Sequence, residues 1–106
     1  MASSIEFVEF VCEQIGGVGI VRHKKMFGEY MVYCNDKPII LICDDTAFVK
    51  ILLETTSVLG DTYKQGYPYN GAKLHYVVDV DDKDKMCEIA VVLEKITSVP
   101  KLKKKK

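Results

Sequence analysis

Two histidines and four cysteines are the side chains of this chain best suited to proton transfer or nucleophilic attack. A working nucleophile needs an adjacent base and a third group that orients the base. His75 alternates with Leu74 and Tyr76 in a strand-like run, which places it toward solvent or a sheet rim. His23 lies in the basic run Arg22, Lys24 and Lys25, outside any recognisable catalytic motif. Cys12, Cys34, Cys43 and Cys87 are widely separated, form no Cys-x-x-Cys pair and have no histidine nearby. Each stands where an apolar residue would serve as well, so reduced and mostly buried thiols are expected. An enzyme would require His75, a cysteine and an acidic residue to converge in one pocket. No motif announces such a set, and no catalytic residue is expected.

Metal and phosphate chemistry fare no better. Asp79, Asp81, Asp82 and Asp84 lack the glycine and the bidentate glutamate of a calcium loop, and capping of a following helix accounts for them. Asp44-Asp45 has the chemistry of a two-residue turn. Gly16-Gly17-Val18-Gly19 follows a helix rather than a strand and contains neither phosphate-binding glycine motif. No metal and no cofactor is expected.

Charge separates the chain into two parts. Five of the fifteen basic residues occupy the last six positions, which leaves ten basic against fifteen acidic residues and a net of −5 elsewhere. A body of that sign argues against a broad phosphate-binding surface. The lysine tail could add salt-sensitive attraction to a polyanion, and Arg22, Lys24 and Lys25 beside Phe27 and Tyr30 could pair phosphate contacts with base stacking. Read as one strand, however, the run puts Lys25, Phe27 and Glu29 on the face opposite Met26 and Tyr30, with Glu29 repelling phosphate. Nucleic-acid binding through Lys24, Lys25 and the tail is therefore the alternative reading. Tyr67, Tyr69 and Tyr76, clustered in sequence near a turn, mark a protein interface or self-association surface. The candidate interaction residues are Lys24, Lys25, Phe27, Glu29, Tyr67, Tyr69 and Lys73.

The elements that position these residues follow from pattern. Ser3 and Ser4 cap a first helix, Ser3 to Glu6 having capping-box spacing, and Phe7, Val8, Val11, Cys12 and Ile15 form its buried face. Gly16-Gly17 stops it in the left-handed C′ conformation, and a connection through Val18 to His23 follows. Lys24 to Lys50 reads as a three-strand meander with turns at Asn35-Asp36 and Asp44-Asp45, its first strand running from Met26 to Cys34. Gly28 within that strand suggests a bulge or close packing, with Met26 and Phe27 buried on either side. Ile51 to Leu59 reads as a short helix weakened by Thr55-Thr56. Asp61 to Gln65 is an edge strand, 67–71 a turn, Leu74 to Val78 a strand. A last helix capped by Asp81 or Asp82 buries Met86, Ile89, Ala90, Leu93 and Ile96. The expected fold is α+β and two-layered, an antiparallel sheet of four or five strands covered by N- and C-terminal helices, in the order α-β-β-β-α-β(β)-α. At 106 residues and 48% hydrophobic content this is one domain over residues 1–99, with residues 100–106 a disordered lysine-rich tail. No apolar run is long enough to span a membrane and no signal peptide is evident, so a cytoplasmic location without membrane contact is expected.

The sequence also resembles the TfoX N-terminal domain family. Ser3 to Ile15 looks like that family's first helix, and Lys24 to Tyr33, KKMFGEYMVY, is similar to its signature run. Asp44-Asp45 matches the turn that follows, and YPYNGAK, Tyr67 to Lys73, a later element. The structural signature on this resemblance is Met26, Phe27, Gly28, Tyr30, Asp44, Asp45 and Gly71. Lys24 stands where the family often has arginine, and Met31 where it often has glycine. The resemblance implies a secretion-chaperone-like layer that supports homodimers, no established catalytic residues, and a link to regulation of competence for DNA uptake. Family regulators usually carry a second, C-terminal domain, and no room for one follows Ser98, so a stand-alone, non-enzymatic interaction domain is expected.

Overall fold

A short helix can start only where something satisfies its first amide groups. In the computed structural model, which describes residues 4–26 and 29–97, the Ser4 hydroxyl accepts the Phe7 N–H at 3.3 Å and opens α1, Ile5–Gln14. Ser3, the first residue of the expected capping box, lies outside the described residues. Val8, Val11 and Ile15 are fully buried along one side of the helix. The expected left-handed glycine stop is not used, since neither Gly16 nor Gly17 has positive φ. The chain instead leaves through tight turns, with Gly16 N–H donating to Glu13 O at 3.2 Å and Val18 N–H to Ile15 O at 3.0 Å. At the other end of the chain the Asp82 carboxylate accepts the Lys85 N–H at 3.1 Å and caps α3, Lys83–Ile96. Met86, Ile89, Ala90 and Leu93 form its buried stripe, while Ile96 is 38% exposed and does not belong to it.

Between these helices lies an antiparallel sheet of six strands among the described residues: β1 Val21–Met26, β2 Glu29–Cys34, β3 Lys37–Cys43, β4 Thr46–Lys50, β5 Gln65–Gly66 and β6 His75–Val78. Their spatial order is β1-β2-β3-β4-β6-β5. The architecture is α+β with helices at both ends of the chain, as expected, but the sheet has one strand more than the larger number expected. The additional strand is β1, which replaces the expected connection. Arg22, His23, Lys24 and Lys25 are all exposed, so this edge strand shows no apolar alternation, and its charges protect an open edge from pairing with other chains.

Met26 pairs with Glu29, so the expected strand from Met26 to Cys34 is two strands, and β2 begins at Glu29. Positions 27 and 28 and the side chain of Met26 lie outside the described residues, and with them the expected bulge at Gly28 and the burial of Met26 and Phe27. The reversal changes which residues share a face. Lys25 stands opposite Tyr30, and Lys24 opposite Met31. Lys25 thus shares the face of Tyr30, and Glu29 the face of Lys24, contrary to the single-strand expectation.

The two expected turns are present. Asn35, Asp36, Asp44 and Asp45 all have φ between 52° and 67°, as a two-residue hairpin loop of the I′ kind requires. The Asp45 carboxylate also accepts the Ser4 N–H at 2.7 Å, fixing the β3–β4 turn to the start of α1. The edge strand expected at Asp61 to Gln65 reduces to Gln65–Gly66, because Asp61 and Thr62 turn.

One face of the sheet packs on the helices through Tyr30, Val32, Cys34, Ile40, Ile42, Ala47, Val49, Tyr76 and Val78. Helix α2, Leu53–Leu59, forms despite its threonine pair because both hydroxyls are used. Buried Thr55 accepts the Leu52 N–H at 2.8 Å and lies 2.8 Å from the Lys50 carbonyl oxygen. Thr56 lies 2.8 Å from the phenol oxygen of Tyr76.

Candidate functional site

The sheet face away from the helices carries the row Lys24, Met31, Leu41, Phe48 and Val77, matched strand to strand by the register. The β2–β3 pairing slips between Val32, opposite Ile40, and Tyr33, opposite Pro38, and this leaves Ile39 as an extra residue. Such a bulge re-aims side chains. Here Pro38, Ile39 and Leu41 all line one cavity of about 690 Å3.

The cavity lies at the end of the sheet where β3 begins and β4 ends, and continues onto the outer face. Met31, Leu41 and Phe48 form its floor, Leu93 and Ile96 of α3 with the C-cap Thr97 one wall, and the 69–73 segment another. That segment is held by a turn in which Ala72 N–H donates to Tyr69 O at 3.1 Å and Gly71 takes φ of 91°, a conformation glycine adopts without strain. Lys50, directly opposite His75 in the β4–β6 register, and Lys73, two residues before it, both line the cavity. His75 Nδ1 is 2.7 Å from the Lys73 carbonyl oxygen, and because a carbonyl only accepts, Nδ1 carries a proton. The Phe48 and His75 rings meet edge to face at 6.4 Å.

The sequence-derived residues divide across the molecule. Tyr69, Gly71 and Lys73 line the cavity, and exposed Tyr67 belongs to the same segment. Three strands, β2, β3 and β4, lie between β1, which carries Lys24 and Lys25, and β6, which follows that segment. Lys24 adjoins Met31 on the outer face, whereas Lys25 projects to the other. Phe27 and Gly28 lie outside the described residues. Tyr30 is buried with its ring edge to face against His23 at 5.8 Å. Arg22 pairs with Asp36 at 3.0 Å and lies over the Tyr33 ring at 5.0 Å. Asp44 and Asp45 form a turn away from the cavity-lining set. Sequence reading missed Lys50, Met31, Phe48 and His75 as neighbours, because only cross-strand pairing, from β2 through β3 to β4 and from β4 to the distant β6, unites them.

Burial raises the Cys12 thiol, with Glu9 adding to the effect, and raises the Cys34 thiol next to Glu94. Cys43 is pushed up to about 12 by burial, the Glu29 charge and a hydrogen bond that the thiol donates to the Glu29 carboxylate. All four cysteines are free thiols, and among the described residues neither a cysteine nor a carboxylate lines the cavity around His75. Cys87 Sγ donates to the Gln14 carbonyl at 3.1 Å. Among the described residues no three His, Cys, Asp or Glu side chains gather as a metal site. Asp79 instead accepts the Asp81 N–H at 3.1 Å, in keeping with a turn that leads to the Asp82 cap. No described helix is long and apolar enough to cross a membrane.

No family model matches the sequence. A curated protein of Spirochaeta aurantia, "Uncharacterized 12.7 kDa protein in trpE 5'region", is 31% identical over 111 residues, spanning 100% of this chain and 93% of its own length.

Proposed function

The chain belongs to the same family as this Spirochaeta aurantia protein, and on that premise we propose that it is a non-enzymatic interaction domain working through protein contacts around the cavity, a second copy being its partner. The observation that carries the reading is the exposure of large apolar side chains on the segments that line the cavity. Tyr69 lines the cavity and is 51% exposed, Tyr67 in the same segment is 66% exposed, and Leu53, next to the lining residue Leu52, is 88% exposed. Exposed large apolar side chains are ordinary singly, but a cluster of them rimmed by polar groups marks an interaction site. Tyrosines suit such a surface because their large rings lose little conformational freedom on contact.

The resemblance to TfoX N-terminal domains gives the reading a biological direction, regulation of competence in the cytoplasm. Direct nucleic-acid binding has less behind it. Lys24 and Lys25 project to opposite faces and cannot clamp one phosphate run, and Arg22 is engaged by Asp36. Sedimentation of the wild type against Leu53→Ser/Tyr67→Ser tests self-association. Loss of association in the variant supports the contact surface, and a wild type that is monomeric throughout rejects it.

A further inference from the structure

The cavity has an apolar floor and one cationic end. Met31, Leu41, Phe48 and Leu52 supply hydrocarbon and an aromatic ring, while Lys50 and Lys73 flank His75 at the polar end. Among the described residues no Asp or Glu lines it, although the first 100 residues of the chain carry a net charge of −5. Neither lysine has an ion-pair partner among the described residues. Directly opposed residues on antiparallel strands have Cβ atoms about 5 Å apart, so Lys50 and His75 can address one small group together. The Nδ1–H bond to the Lys73 carbonyl leaves His75 Nε2 without a protein partner among the described residues.

We propose that this cavity binds a small free molecule with an apolar, ring-containing body and a single anionic group. The body lies against Met31, Leu41 and Phe48, and the anion between the Lys50 and Lys73 ammonium groups. A volume of about 690 Å3 accommodates such a molecule with room for bridging water, and falls in the usual range of small-molecule sites, about 300–1,000 Å3. Apolar walls with a few convergent polar groups are what fix the orientation of such ligands. The absence of lining carboxylates means that an anion meets no like charge there.

The inference goes beyond the protein-contact reading and does not depend on it. Its test uses two fluorescent probes, 8-anilinonaphthalene-1-sulfonate and N-phenyl-1-naphthylamine, which share one ring system and differ by the sulfonate. The full chain should bind the sulfonate at one site, about tenfold more tightly than the neutral amine, the gain of one or two charge-assisted contacts. The advantage should shrink with added salt and vanish in Lys50→Gln/Lys73→Gln, whose thermal unfolding should match the wild type. Met31→Glu should weaken both probes. Competition by 1-naphthoate and 1-naphthyl phosphate identifies the preferred anionic group, and displacement by either supports the site. Probe titration at protein concentrations where the chain is monomeric reads ligand binding apart from self-association, so the two readings can fail separately. Equal affinity for the two probes overturns the proposal, as does a sulfonate advantage that survives the double lysine variant. Lysine-dependent binding to phosphatidylglycerol vesicles without discrimination between the probes would assign the patch to a lipid surface and also overturn it.

Discussion

Replacing Thr55 by valine should unfasten the start of α2 from β4, with a measurable local signature. Thr55 is fully buried, and its one hydroxyl accepts the Leu52 N–H at 2.8 Å while facing the Lys50 and Leu52 carbonyl oxygens at 2.8 and 3.1 Å. A single proton donates to one of these carbonyls at a time, so valine removes one accepted and one donated bond. At about 1 kcal/mol net for each, offset by less than about 1 kcal/mol from the added methyl, the loss is about 1–2 kcal/mol. That corresponds to a fall in Tm of about 5–10 °C for a domain of this size. Thr55→Ser keeps both bonds and deletes one buried methyl, at about 1 kcal/mol. Global stability alone therefore separates the two variants poorly. Amide hydrogen exchange at Leu52 separates them well: it should accelerate about tenfold or more in Thr55→Val relative to Thr55→Ser, because only valine leaves that amide without its partner. The reasoning fails if Thr55→Val unfolds within about 0.3 kcal/mol of the wild type, or if Leu52 exchanges equally in both variants. Lys50 and Leu52 line the cavity, so the same bond network also holds part of its wall.

Three further outcomes can be measured independently. A methyl group at Gly19 would fall 2.7–2.9 Å from the Asn35 carboxamide, which accepts the Ile20 N–H and donates to Glu94. Gly19→Ala should therefore cost about 1–2 kcal/mol in the wild type and nearly nothing in an Asn35→Gly background, and an equal cost in both would refute the clash. Folded protein at pH 8 should react slowly with a thiol reagent at Cys12, Cys34 and Cys43, while all four cysteines should react after unfolding; rapid labelling of Cys43 in the native state would contradict its burial against Glu29. Hydrogen bonds from Lys37 and Asn35 lower the Glu94 carboxyl below its usual range. A group depressed on folding stabilises above its unfolded value, about 4.3, and loses that contribution as pH falls through its folded value. Glu94→Gln should thus flatten the acid limb of the stability curve below about pH 5, and an unchanged limb would refute the assignment.

α1, α3 and the inner strands were legible in the sequence because each buries one regular stripe. Val8, Val11 and Ile15 recur at helical spacing, and Ile40, Ile42, Ala47 and Val49 alternate. The Asn35-Asp36 and Asp44-Asp45 turns were equally plain, since few residues accept positive φ twice in succession. β1 was not legible: its exposed Arg22, His23, Lys24 and Lys25 bury nothing that would create a pattern. Missing that strand also inverted the faces assigned to Lys25 and Glu29, since one reversal resets the two-residue period. Tyr69 and Lys73 were singled out from the turn at 67–71. Their company with Met31, Leu41, Phe48 and Lys50 depends on pairing between strands far apart in the chain, to which local pattern is blind. The short helix expected over Ile51 to Leu59 forms as Leu53–Leu59, and the weakness expected from Thr55 and Thr56 is offset by bonds that local pattern does not show. Helix propensity counts their loss of side-chain freedom, whereas their bonds to Leu52 and Tyr76 arise only in the folded chain.

Sedimentation equilibrium of the full chain, wild type against Leu53→Ser/Tyr67→Ser, tests the proposed interaction surface most directly. The account predicts a reversible monomer–dimer equilibrium in the wild type, weakened by about tenfold or more in the variant with its thermal unfolding unchanged. A wild type that stays monomeric at every concentration, or a dimer indifferent to both substitutions, would contradict it.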